Sequence, residues 1–384
     1  MMAKLHSTFR LTVTTLTPLH IGTGNTLLRD FDYVTHDGKT WVINEDALAD
    51  LLVDYEDDLE KMAAGRPASE LLRPEDFHAD SPLFRYILPG EPRSQRSGSV
   101  LQEQIKDSWD RPYIPASSLK GALRTALFYA GYGQCDLQFR VSDLGHNAKF
   151  AAQPLERKVF ANNVSPDKAP NHDLLRALQI SDSVPDEQKR LQIVNVTVSK
   201  NGQPSGPPIE LEAIPSDVSF EMSLTLDGYL LGNTKPWNQD AASKQLGYTE
   251  AQLKWIQGLP QIVNSYTQQR LGIESQTNRS SNWINTFEQI KPIVDRFASD
   301  QTSNEFIIQL GWGGGWDSKT LGKHLTDNKT EFSKLVNDNR YKMLRKGKFA
   351  VGDAYPKTRR AIVIRQDQPI SLLGWIWVRM ETVE

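Results

Sequence analysis

The sequence predicts an α+β fold, on three observations. Segments with strict two-residue alternation of apolar side chains occur at residues 8 to 17 (TFRLTVTTLT) and 218 to 228 (VSFEMSLTLDG). One well-marked amphipathic helix lies between them, within YIPASSLKGALRTALFYAGYG. After about residue 232 helical spacing takes over, and strand-like runs return at the end as AIVIR and SLLGWIWVRM.

In the first strand Phe9, Leu11 and Val13 share one face, and HIGTGN follows as a loop. In DYVTHDGKTWVIN, Asp37-Gly38 separates two strand-like runs, a hairpin signal. From Glu45 the chain turns helical, with Ala47, Leu48, Leu51 and Leu52 on one face. Residues 64 to 112 are rich in Pro, Ser, Gly and charge and read as an insertion or a mobile excursion. In the next helix Ser117 or Ser118 is the expected cap, and Leu119, Leu123, Ala126, Leu127 and Ala130 form the buried stripe. Gly131 or Gly133 is its expected end.

RALQISDS begins another strand, and LQIVNVTVSKNGQPSGPPIELEAI is a hairpin turning at Asn201-Gly202. Val218, Phe220, Met222, Leu224 and Leu226 alternate in the strand that follows. Residues 248 to 298 read as two helices broken around Arg270 to Asn282. EFIIQL is a short strand entering a glycine loop, and SKTLGKHL and KTEFSKLVNDNRYKMLRK are helical.

At 384 residues the chain has room for two or three domains. Its net charge of −3 makes it no polycation, so a nucleic-acid site requires local segregation of charge. Residues 45 to 60 carry eight Asp or Glu and no Lys or Arg, whereas residues 340 to 365 carry nine Lys or Arg and one Asp. Cys135 is the only cysteine, which excludes an internal disulfide and fits a reducing compartment. No apolar stretch approaches membrane-spanning length and the amino terminus has no signal-like apolar core, so a cytoplasmic location is expected.

Three constellations could carry function. The first is His20, Gly22 and Gly24 in HIGTGN. The second is SSLKGALRTAL, where Ser117 and Ser118 stand at a helix start whose free amides attract anions, and Lys120 and Arg124 project from one face. Gly121 there allows another backbone to approach. The third is LGWGGGWDSKT, with Gly311, Gly313, Gly315 and Lys319, and with Trp312 and Trp316 able either to stack on bases or to pack inward. A phosphate-binding Walker loop fails here, because Ser318 stands where its second glycine belongs; the dinucleotide pattern fails at Trp316. No His pair is spaced for a metal, and no Gly-x-Ser-x-Gly elbow occurs.

The segments TPLHIGTGN, YIPASSLKGALRTAL, LGWGGGWDSKT and YPKTRR occur in that order. As an ordered set they resemble the RAMP superfamily of CRISPR-associated proteins, and within it the fifth-subunit family of type III-A (Csm) effector complexes. The resemblance spans about residues 8 to 380. It implies two ferredoxin-like (RRM-like) domains with helical insertions, expected over residues 1–232 and 233–384. It implies a subunit without chemistry or cofactor of its own. Such a subunit binds CRISPR RNA at the 3′-end side of the complex and supports maturation of that end. The implied partners are the repeated backbone subunit, the small helical subunit and host nucleases. Carried over by motif, the RNA-binding residues are Gly22, Gly24, Ser117, Ser118, Lys120, Gly121, Arg124, Gly311, Gly313, Gly315 and Lys319. Lys357, Arg359 and Arg360 of the basic motif, which also holds Thr358, join them. Two alternatives stay open: a metal-independent endoribonuclease with His20 as general base, and a nucleotide-binding protein using residues 311 to 320.

Overall fold

The computed structural model describes residues 6–52, 65–200, 203–231, 245–277, 284–344, 346–363 and 369–383. The expected turn at Asn201-Gly202, the boundary near residue 232 and the acidic residues 53 to 60 lie outside them.

A five-stranded antiparallel sheet organises the molecule. The alternation that marks the first strand does form it, as β1 (His6–Thr15), with Leu11 and Val13 fully buried. Its neighbours are Ser219–Asp227 (β11) on one side and Trp375–Thr382 (β15) on the other. Leu178–Ile180 (β7) and Glu305–Gln309 (β12) complete the order β7-β11-β1-β15-β12. Alternation in β15 divides its side chains between two cores. Ile376, Val378 and Met380 face the main core, while Trp375 and Trp377 face a second cluster with Phe287, Ile290 and Val294.

The amphipathic helix forms as α2 (Ala116–Gln134), following a short helix α1 (Glu45–Leu52). Leu119, Leu123, Ala126 and Leu127 are buried as expected; each leucine so placed contributes about 2 kcal/mol. Its ends differ from the sequence reading. Pro115 is the N-cap without a side-chain bond, and the distant Asp182 accepts the Ala116 N–H at 2.6 Å instead. Gly131 does not stop the helix. A Cβ there would collide with Val159 and Trp255, so glycine permits close packing rather than a turn.

Against α2 pack Gln153–Phe160 (α3) and Leu259–Thr277 (α5), which follows Glu250–Gln257 (α4). Among the described residues, 248 to 298 therefore hold three helices, with α6 at Ile284–Ser299; the first break is at Gly258, and Arg270 lies inside α5. The side chains of α5 also satisfy the open edge of β12. Asn264 donates to the Glu305 carbonyl (2.8 Å) and accepts the Ile307 N–H (3.2 Å), and Thr267 donates to the Ile307 carbonyl (2.7 Å).

A second sheet runs Pro369–Ser371 (β14), Arg359–Val363 (β13), Gln192–Lys200 (β8), Ile209–Ala213 (β10), Val100–Gln104 (β6) and Gly22–Leu28 (β2). Gln203–Pro204 (β9) flanks β8. HIGTGN is thus no simple loop, since Gly22 opens an edge strand paired with β6. The 64–112 segment, read as an insertion, contributes β6 and Phe84–Pro89 (β5). β5 pairs with Lys39–Ile43 (β4), which forms the expected Asp37-Gly38 hairpin with Tyr33–His36 (β3). Late in the chain the helices are shorter than expected: α7 is Lys323–Thr326 and α8 is Lys329–Asn337. The α+β class holds.

Candidate nucleic-acid interface

The edge strand β2, the first turns of α2 and the glycine loop after β12 meet around one cleft of about 580 Å³. Gly22 and Gly24, then Ser117, Ser118 and Gly121, then Gly311 and Lys319 all line it. Three segments well separated along the chain thus share one concave surface. Trp312 is half-buried in its wall, and the Arg360 guanidinium lies 4.3 Å from that indole's centre.

The junction between the two glycine segments is a backbone contact. Gly311 has φ +75, and a Cβ there would collide with the His20 carbonyl oxygen. The next residue, Trp312, donates its N–H to that carbonyl at 2.8 Å. His20 is held from beneath, its Nδ1 donating to the Glu212 carbonyl at 2.7 Å. Burial lowers its pKa below the ordinary value, so at neutral pH the ring is uncharged with Nε2 unprotonated.

Under this floor lies a buried charge network that the sequence did not announce. The Glu212 carboxylate is wholly buried and accepts from Lys106 Nζ (2.6 Å), the Tyr86 hydroxyl (2.8 Å) and the Gln104 N–H (3.0 Å). Burial first, and Glu212 second, push the Tyr86 phenol well above its usual range, which keeps it a donor. Gln104 then uses its side-chain oxygen to accept the Ile21 N–H at 2.9 Å, fixing the residue just before Gly22. Gln102 and Gln309 also line the cleft, and no motif pointed to either.

The remaining sequence-derived residues are placed elsewhere. Lys120 donates to the Leu178 carbonyl at 2.7 Å, closing the end of β7. Arg124 pairs with Glu156 (2.6 Å) and Asp173 (2.9 Å) and lies over the Phe160 ring. The expected basic face of α2 is therefore consumed by internal partners and is not offered to the cleft. Gly313 packs on Leu373, and the Gly315 carbonyl accepts the Ser318 hydroxyl at 3.1 Å. Trp316 turns inward against Phe332 and Tyr355. Lys319 does not begin a helix, since α7 starts only at Lys323.

The basic segment is likewise partly neutralised. Arg340 pairs with Asp338, Lys357 with Asp353, and Arg359 with Asp317; Arg345 and Arg365 lie outside the described residues. Among the described residues, Lys319, which lines the cleft, and Arg360, which lies over Trp312 in its wall, have no carboxylate partner. The Lys319 ammonium is lowered from its ordinary pKa by partial desolvation and then by the nearby Arg360, and desolvation lowers Arg360 as well. Like charges held together with no carboxylate partner among the described residues attract an anion. Among the described residues no group of three or more His, Cys, Asp or Glu could hold a metal ion, and no helix is long and apolar enough to cross a membrane.

Residues 12–316 match the family model of the RAMP superfamily. A curated relative from Streptococcus thermophilus, described as CRISPR system Cms protein Csm5, is 27% identical over 253 residues. That match covers 59% of this chain and 66% of the relative's length. A chain of a cryo-EM structure of a Csm–crRNA–target RNA ternary complex, from a type III-A CRISPR-Cas system, superposes with a TM-score of 0.66. It is 24% identical, and the superposition covers 97% of this chain and 100% of that one. The crystal structure of T. onnurineus Csm5 gives a TM-score of 0.59 at 23% identity, over 95% and 99% of the two chains. With a family model spanning most of its length and the same fold from end to end, this chain belongs to the RAMP superfamily.

Proposed function

We propose that the protein is a non-catalytic, CRISPR RNA-binding subunit of a type III-A (Csm) effector complex. It caps the 3′-end side of that RNA and supports maturation of the end. The observation that carries the reading is the convergence of Gly22, Ser117, Gly121, Gly311 and Lys319 on one cleft beside Arg360. Glycines and a helix start admit a sugar–phosphate backbone closely, two cations neutralise phosphates, and Trp312 offers a ring for stacking. The likeness to Csm5 and to a chain of a Csm–crRNA–target RNA complex supports the same reading.

Backbone phosphates dominate such binding, so affinity falls steeply with salt. The test is a titration of labelled CRISPR RNA with wild type and with Lys319→Ala/Arg360→Ala. The double variant is expected to bind roughly tenfold more weakly, or worse, at low salt while melting as wild type does. Equal affinity would remove the cleft from the RNA path. Co-expression of the complex with and without this chain, followed by sizing the copurified RNA, tests the 3′-end role; identical lengths would refute it. The same RNA incubated with protein alone tests for cleavage, and cleavage lost in His20→Ala would replace this reading with the ribonuclease one.

A further inference from the structure

Beside the cleft lies a second cavity of about 260 Å³, walled mainly by apolar side chains. Phe128 of α2, Leu155 of α3, and Trp316, Leu321, Leu335 and Tyr341 from the late part of the chain form most of it. Two residues, Thr125 and Lys319, belong to both cavities. The apolar cavity therefore adjoins the cleft, with a cation at the shared rim. Its volume falls below the range of about 300–1,000 Å³ that drug-sized ligands occupy, which suits one planar ring system.

One wall is polar. Arg124 and Glu156 both line the cavity, and Glu156 Oε2 takes both guanidinium bonds, from Arg124 Nε (3.0 Å) and Nη2 (2.6 Å). Its other oxygen, Oε1, has no protein donor among the described residues. Arg124 anchors this carboxylate through its second bridge to Asp173, so the free oxygen is held at a defined place. A carboxylate oxygen accepts from an exocyclic amine, as found on cytosine, adenine and guanine, and finds no such donor on uracil.

We propose that this cavity receives one base turned out of the RNA strand lying in the cleft, and that it favours a base bearing an exocyclic amine. The inference rests on the RNA reading of the cleft. The strand's phosphates pass Lys319, and the base enters between Phe128 and Trp316 with its amine toward Glu156 Oε1. A single stacked and buried base carries a large share of binding to a single strand. Arg124 then serves recognition without touching phosphate, because it fixes the carboxylate that reads the base.

The experiment uses the full chain and a short labelled single-stranded RNA in which one abasic ribose is walked along the sequence. Wild type is expected to lose about tenfold in affinity at one position and little elsewhere. At that position cytosine should bind several-fold more tightly than uracil, and Glu156→Gln should reduce that preference. Ala151→Phe, which fills the cavity, should weaken binding of intact RNA and leave binding of the RNA abasic at that position unchanged. A flat abasic scan with normal binding overturns the base pocket and leaves the cleft reading intact. Absence of RNA binding by wild type removes both. A flat scan combined with loss of a neighbouring subunit from the Ala151→Phe complex assigns the cavity to a protein side chain, which also overturns the proposal.

Discussion

Two successive turns of α2 look alike in sequence and differ in the structure. The first, Ser117 to Gly121, faces the cleft with its serines and its glycine. Interleaved with it and one turn on, Lys120 and Arg124 are the more obvious nucleic-acid ligands, yet both are spent inside the protein, on Leu178, Glu156 and Asp173. Cations visible in a motif are not cations available to a phosphate. What decides is whether carboxylates and carbonyls from other elements reach them first. Those partners lie far along the chain, 32 residues away for Glu156 and 58 for Leu178.

The largest effect is expected from Arg124→Ala. It strips two partly buried carboxylates of their shared partner, so a loss of about 1.5–3 kcal/mol in unfolding free energy is expected by urea titration. The salt dependence of RNA binding should keep its slope. A slope that falls would return Arg124 to the phosphate path. Lys319→Ala should do the opposite, with stability within about 0.5 kcal/mol of wild type. Its plot of log affinity against log salt should be shallower by roughly 0.7, as expected when one phosphate of a single strand is no longer neutralised.

Acid sharpens the same contrast at the cleft floor. Burial depresses the pKa of His20, and that of His324 beside the C-terminal part of α2. Below about pH 6.5 the unfolded chain binds protons that the folded one refuses, so stability should decline as pH falls through that value. His20→Gln should flatten part of the decline in thermal melts, and an unchanged profile would show that its ring is not held neutral. Gly121→Ala is expected to be no worse than neutral for the fold. A Cβ there meets open space, so the helix should gain up to about 1 kcal/mol, while a weaker grip on RNA would show that a backbone passes close.

Local periodicity was legible. The β1 and β11 alternation, the α2 stripe and the Asp37-Gly38 hairpin follow from spacing and turn chemistry alone. Features set by distant partners were not. Asp182 capping α2 and Val159 with Trp255 crowding Gly131 leave no mark near the residues they control. The cleft was half legible: its glycines and serines stand in motifs, whereas Gln102, Gln309 and the Glu212–Lys106 pair beneath it sit in ordinary strand sequence. Lys120 misled because a helical wheel shows which face a side chain occupies and not which carbonyl awaits it.

The position of β1 between β11 and β15 also bears on biosynthesis. Its partner on one flank, Trp375–Thr382, is separated from it along the chain by every other described strand, so the ribosome must translate the intervening chain before that ladder can close. At roughly 5–20 residues per second the delay is tens of seconds. For most of that interval His20 waits for Gly311, so the junction between the two glycine segments cannot form until the ribosome has passed the late glycine loop.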